Sequence, residues 1–217
     1  RGSIIEAFSP RVAMAKHDGK HTDLLEKLYV PLASLMMFPF MVLGLFSEQL
    51  FPFVFGSEWI QSGLIAKILL FRIFMEIIFS PSFTLIDVMG KQELRVIRTI
   101  SSTIIATVAL MLGAYYNNFY LGLWILSVFQ GLSIIIIGGY MMWIINFSFL
   151  RSIKRLSRYV LLGISINVLL LLLSKIFIGN NIYLIGVISV GFLIYYVALA
   201  YMDHEIMNVI KKIVKLV

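Results

Sequence analysis

Six apolar stretches take up most of this chain, each near the 20 residues that an α-helix rising 1.5 Å per residue needs to cross a 30 Å hydrocarbon core. Spans are expected at about residues 28–47, 63–89, 97–116, 120–145, 159–178 and 182–202. Residues 99–150 carry no charge, and Tyr116-Asn117-Asn118 supplies turn chemistry at their midpoint, so two crossings are expected there in place of one long helix. Gly179-Asn180-Asn181 turns the chain between the last two spans. Only 13% of the 217 residues are charged, against about 25% in soluble domains, and 60% are hydrophobic. These features predict an all-α, polytopic membrane protein forming a single membrane domain.

The charges give this domain an orientation. Of 18 Lys and Arg residues, 15 fall in residues 1–27, 90–98, 146–158 and 203–217, which are alternate flanks of the spans. One, Lys175, falls on the opposite side, and Lys67 and Arg72 lie inside the second span. The positive-inside rule makes the rich side cytoplasmic, including the C-terminus. The net charge of +7 is therefore assigned to topology and anionic headgroups, with membrane lipids as partners and no nucleic acid. In residues 147–158, Phe149, Leu150, Ile153 and Leu156 share a helical face opposite Arg151, Lys154, Arg155 and Arg158. Residues 203–217 repeat the pattern, so two short interfacial amphipathic helices are expected on the inner leaflet.

Several kinds of chemistry are excluded at this stage. There is no cysteine, hence no thiolate nucleophile or Cys-ligated metal. His17, His21 and His204 lie outside the spans and form no ligand pair, so no metal and no cofactor is expected. No His-Asp or Asp-rich constellation suggests an enzyme.

The second span holds the candidate site. Arg72 lies roughly nine residues, about 13 Å, into it, where an isolated Arg costs about 2.5–3.5 kcal/mol, so something must compensate it. Glu76 is one helical turn further on and can pair with it. Either Arg72 contacts an anionic group of a substrate while Glu76 holds or releases it, or the two form a salt bridge that fixes packing. Lys67, about a turn from the outer end, either snorkels to headgroups or joins the site. Pro39 in the first span and Pro81 in the second are expected to bend their helices. Asp23 followed by Glu26 marks a helix start after a mixed segment at residues 1–27.

Three short motifs carry a resemblance. Phe8-Ser9-Pro10-Arg11 before an acidic-basic stretch, Phe55-Gly56-Ser57-Glu58-Trp59 before the charged span, and Met89-Gly90-Lys91-Gln92 after it resemble polysaccharide flippases of the multidrug/oligosaccharidyl-lipid/polysaccharide exporter superfamily. The resemblance implies a C-terminal, second-lobe portion of a two-lobe transporter, with residues 1–27 ending a preceding helix and its linker, and an N-terminal lobe missing. It implies a parent in a bacterial or archaeal cytoplasmic membrane that flips a polyprenyl-pyrophosphate-linked oligosaccharide for surface polysaccharide synthesis by alternating access. On that resemblance Arg72, Glu76 and Lys67 would bind substrate, and the bends at Pro39 and Pro81 would help gate. Two alternatives stay open: a cation-coupled multidrug antiporter of the same superfamily, and a non-transporting scaffold for polysaccharide enzymes.

Overall fold

The computed structural model describes residues 21–144, 146, 147, 149–176 and 181–202. Among them the chain is all-helical, without a strand. The order is α1 (His21–Phe55), a 3₁₀ turn (Ser57–Trp59), α2 (Ile60–Val88), α3 (Gln92–Tyr115), α4 (Phe119–Ile144), α5 (Phe149–Ile176) and α6 (Asn181–Met202). Five stretches have the length and apolarity to cross a membrane: Tyr29–Phe55, Gln92–Tyr115, Phe119–Ile144, Lys154–Ser174 and Tyr183–Met202. Such a set is compatible with a multi-pass membrane protein. Helix α2 has 29 residues but carries Lys67, Arg72 and Glu76 in its first two-thirds.

Two expectations are corrected. The separate interfacial helix expected over residues 147–158 does not form, because α5 runs unbroken from Phe149 to Ile176. No Gly, Pro or Asn interrupts residues 149–162, so nothing ends the helix where its cationic turns give way to apolar ones. Helix α1 is helical from the first described residue, His21, to Phe55, taking in residues assigned to a linker and to an outer loop. Residues 1–20 and the amphipathic tail 203–217 lie outside the described residues.

The helices sort into two compact units. One is built on α2 from Ile68 onward, with α3 and α4. Its turns share one device, a left-handed residue just past a helix end: Gly90 (φ 71°), Asn117 (φ 49°) and Asn146 (φ 55°). After α3, Asn117 N–H bonds the Ala114 carbonyl at 3.1 Å and Asn118 N–H bonds that of Gly113 at 2.8 Å. This Schellman pairing satisfies carbonyls that the helix leaves open. The Asn118 side chain then accepts from Leu121 N–H at 3.0 Å and caps α4.

The unit's packing follows from small residues. A methyl at Gly113 would lie 3.0 Å from the Cα of Gly122, so the α3 and α4 backbones meet just below their turn. On the other side of α4, the ring of Phe71 occupies the notch at Gly131 and that of Phe79 the notch at Gly138. Ile78, Phe79, Phe83 and Ile86 of α2 are buried, as are Ile134, Ile137, Met141 and Met142 of α4.

The second unit is built on α1 from Val30 onward, the first two turns of α2, α5 and α6. Val30, Ala33, Phe38, Val42 and Phe46 of α1 are buried at helical spacing. Phe38 stacks on Tyr195 (centroids 4.7 Å apart, planes at 15°) and meets Phe192 edge-on at 5.0 Å. Tyr195 donates to the Ser34 carbonyl at 2.7 Å, and Tyr196 to that of Leu35 at 3.0 Å. At the α1–α2 turn, a methyl at Gly63 would lie 2.5 Å from the Ser47 carbonyl oxygen, so only glycine allows this approach.

Candidate functional site

The unit of α2, α3 and α4 forms a half-open cavity of about 300 Å³ lined by Arg72 and Glu76 from α2, Arg98, Thr99, Ser102 and Thr103 from α3, and Gln130, Ser133 and Ile134 from α4. Eight of these nine side chains are polar, yet they come from helices rich in Ile, Leu and Phe. Arg72 lies about 18 Å from the start of α2 and about 24 Å from its end, and Gln130 is close to the middle of α4. The α2 and α4 parts of the polar lining thus sit near mid-length of their helices, where charge is costly, while the α3 part lies in that helix's first half.

The pairing inside the cavity differs from the expected one. Glu76 is joined to Arg98 of α3, not to Arg72 one turn before it. Two contacts hold the Arg98 guanidinium, the Glu76 carboxylate and the face of the Phe83 ring, whose centroid is 3.9 Å away. The Arg-before-Glu order within one helix is the weaker arrangement for an i,i+4 pair, which leaves Glu76 open to a partner on a neighbouring helix. Arg72 is left without an ion pair among the described residues, and its Nε is buried with no hydrogen-bond partner. The lining therefore carries two guanidiniums against one carboxylate.

The neutral groups are also committed in a definite sense. Gln130 Nε2 donates to the Ser102 carbonyl at 2.9 Å and to its hydroxyl at 3.0 Å, tying α4 to α3. The Ser101 and Ser133 hydroxyls lie 3.2 Å apart and make a second tie. Thr99 and Thr103 donate their hydroxyl protons to the carbonyls of Arg95 (3.0 Å) and Thr99 (2.9 Å), one turn back. Their oxygens remain hydrogen-bond acceptors. Strong donors to a guest come from the guanidiniums, and acceptors from the threonines.

The remaining candidates lie elsewhere. Lys67 forms an exposed ion pair with Glu48 at 2.8 Å and does not line the cavity. Pro39 lies in α1, within the second unit. Pro81 lies within α2, whose helix continues to Val88, and its side chain is outside the described residues.

Arg98 was missed because it sits six residues into α3, where a cation reads as a cytoplasmic flank. Gln130, the only amide side chain in α4, and the hydroxyl run Thr99, Ser101, Ser102 and Thr103 were the available signal. Comparisons with protein-family models, with curated proteins and with solved structures find no match to this chain.

Proposed function

We propose that this chain is the substrate-binding part of a membrane transporter that moves an anionic, hydroxyl-rich substrate, a polyprenyl-pyrophosphate-linked oligosaccharide, across a bacterial or archaeal cytoplasmic membrane. The observation that carries the reading is the polar cavity in which Arg72 lacks a counter-ion among the described residues while Arg98 and Glu76 face the same space. Two guanidiniums are suited to phosphate oxygens, which they grip in bidentate fashion. Acceptor oxygens on Thr99 and Thr103 suit sugar hydroxyls. In this reading α2 is a sixth crossing, tolerated with its deep charges because Arg72 and Glu76 face the cavity while Lys67 pairs with Glu48, and the C-terminus is cytoplasmic. The parent's other lobe, implied by the flippase resemblance, supplies the opposing wall of the pathway, and Pro39 and Pro81 supply bends for its gating.

The antiporter alternative draws less support. A cation-coupled site needs a carboxylate available to the ion, and Glu76 is paired with Arg98. The test is export of surface polysaccharide by cells whose protein carries R72Q or R98Q, at matched membrane levels. Both substitutions are expected to abolish export. Export at the normal rate in both variants overturns the reading.

A further inference from the structure

The hydroxyl protons around the cavity can be traced one by one. Along α3, Thr99, Ser101, Thr103 and Thr107 each donate to a backbone carbonyl three or four residues back, at 2.9–3.0 Å. Ser101 thereby commits its single proton, so its 3.2 Å contact with Ser133 is made by the Ser133 proton. Ser102 breaks the pattern. Its hydroxyl accepts from Gln130 Nε2 at 3.0 Å and donates to nothing among the described residues. The same nitrogen lies 2.9 Å from the Ser102 carbonyl, which can only accept, and this fixes which end of the Gln130 amide faces α3. Of the four hydroxyls that line the cavity, those of Thr99, Ser102, Thr103 and Ser133, Ser102 alone keeps a proton to offer. Arg72 lines the same space, without an ion pair among the described residues and with its Nε buried and unpartnered.

We infer that the Ser102 hydroxyl is a second donor to the anionic group held by Arg72, and that Gln130 is the positioning residue that directs the Ser102 proton into the cavity. The inference rests on the proposed function in taking this cavity as an anion site. A guanidinium fork meets two oxygens in its own plane. That pair completes a carboxylate, whereas a phosphate has a further oxygen outside the plane and needs a donor from another direction. Ser102 comes from a different helix than Arg72 and supplies one. Gln130 occupies a lone pair of the hydroxyl from the α4 side, which leaves the proton turned away from α4. The recognised chemistry is a phosphate group, either free or borne on an apolar chain.

The experiment uses the full chain in nanodiscs of neutral phosphatidylcholine, titrated calorimetrically with inorganic pyrophosphate and separately with geranyl pyrophosphate, and melted without ligand. R72Q is expected to abolish binding of both probes. S102A is expected to weaken them about tenfold or more, the loss of one donor to a charged group. Q130L, which leaves the Ser102 hydroxyl in place but undirected, is expected to weaken them only about threefold. Melting temperatures should rank the other way, with Q130L the less stable variant because it loses both bonds to α3. If Q130L weakens binding as much as S102A, Ser102 acts only through the tie between α3 and α4, and the inference is overturned. If S102A leaves both probes within about twofold of wild type while R72Q abolishes them, the anion is held without Ser102, and the proposed function stands without this inference. An effect of S102A on one probe alone supports the contact and names the source: a free anion if inorganic pyrophosphate responds, a phosphate on a chain if geranyl pyrophosphate does. No response of either probe to R72Q removes the anion site itself, and the inference with it.

Discussion

The Tyr196 hydroxyl donates to the carbonyl of Leu35 at 3.0 Å, and Leu35 is the residue four before Pro39. That carbonyl would ordinarily accept the N–H of residue 39, which proline lacks. A neighbouring helix thus fills the vacancy that the proline creates in α1, as membrane helices with internal prolines require. Tyr195 makes the adjoining bond to Ser34, so this turn of α1 is held from α6 by two phenols.

Removing the Tyr196 hydroxyl should therefore cost stability only while residue 39 is proline. Y196F is expected to lower stability by about 1 kcal/mol. In a P39A background, where Leu35 regains a backbone donor, the same change should cost less than half as much. Equilibrium unfolding in mixed micelles, run as a double-mutant cycle, checks the coupling.

The Glu76–Arg98 pair predicts an asymmetry. Its side chains are 40% and 30% exposed, so breaking it should cost about 1–2 kcal/mol, between the values for surface and buried pairs. E76Q should be the more damaging change, since it leaves two guanidiniums in one cavity without a counter-charge. R98Q should be milder, because Arg72 lies one turn from Glu76 and is free to receive it. Thermal unfolding of both variants and of the double variant reads this order directly.

Adjacent glycines in α4 should behave oppositely. A methyl at Gly138 meets the buried ring of Phe79, whereas one at Gly139 has nothing within 4 Å. G138A is expected to destabilise by about 1–3 kcal/mol through crowding. G139A should be neutral or stabilise by up to about 1 kcal/mol, because alanine is the better helix former. Melting temperatures of the two variants side by side test the packing of α2 on α4.

The absence of cysteine makes topology directly measurable. Single cysteines placed at Ser57, Gln92 and Asn118 should react with a membrane-impermeant maleimide from outside, from inside and from outside the cell, respectively. Ser57 and Gln92 flank α2, so their labelling from opposite faces is the measurement that makes the charged helix a crossing.

Element positions were legible because hydropathy and turn chemistry agree along most of the chain. Asn117 and Gly90 could be read as turns, and both adopt the left-handed conformation that ends a helix. Helix ends were less legible: hydropathy marks where a lipid-facing stretch stops, and a helix continues past that point until a breaker ends it, as α1 does through Glu48 to Phe55. At the site, Arg72 and Glu76 announced themselves as charges in an apolar run, but their partners did not. Local spacing points to pairs within one helix. The choice of Arg98 by Glu76 depends on how α3 packs on α2, which a one-dimensional pattern does not encode. The expected interfacial helix at residues 147–158 failed for a related reason, since amphipathicity describes a surface and not where a helix terminates.

The seating of Phe71 against Gly131 and of Phe79 against Gly138 puts two pegs, eight residues apart on α2, into two sockets, seven apart on α4. Sliding α2 lengthwise would unseat both at once. Pivoting about the deeper peg, Phe79, frees only the more exposed Phe71. Displacing the Arg72 end of α2 would thus disturb one seated ring, whereas axial travel of the helix would disturb two.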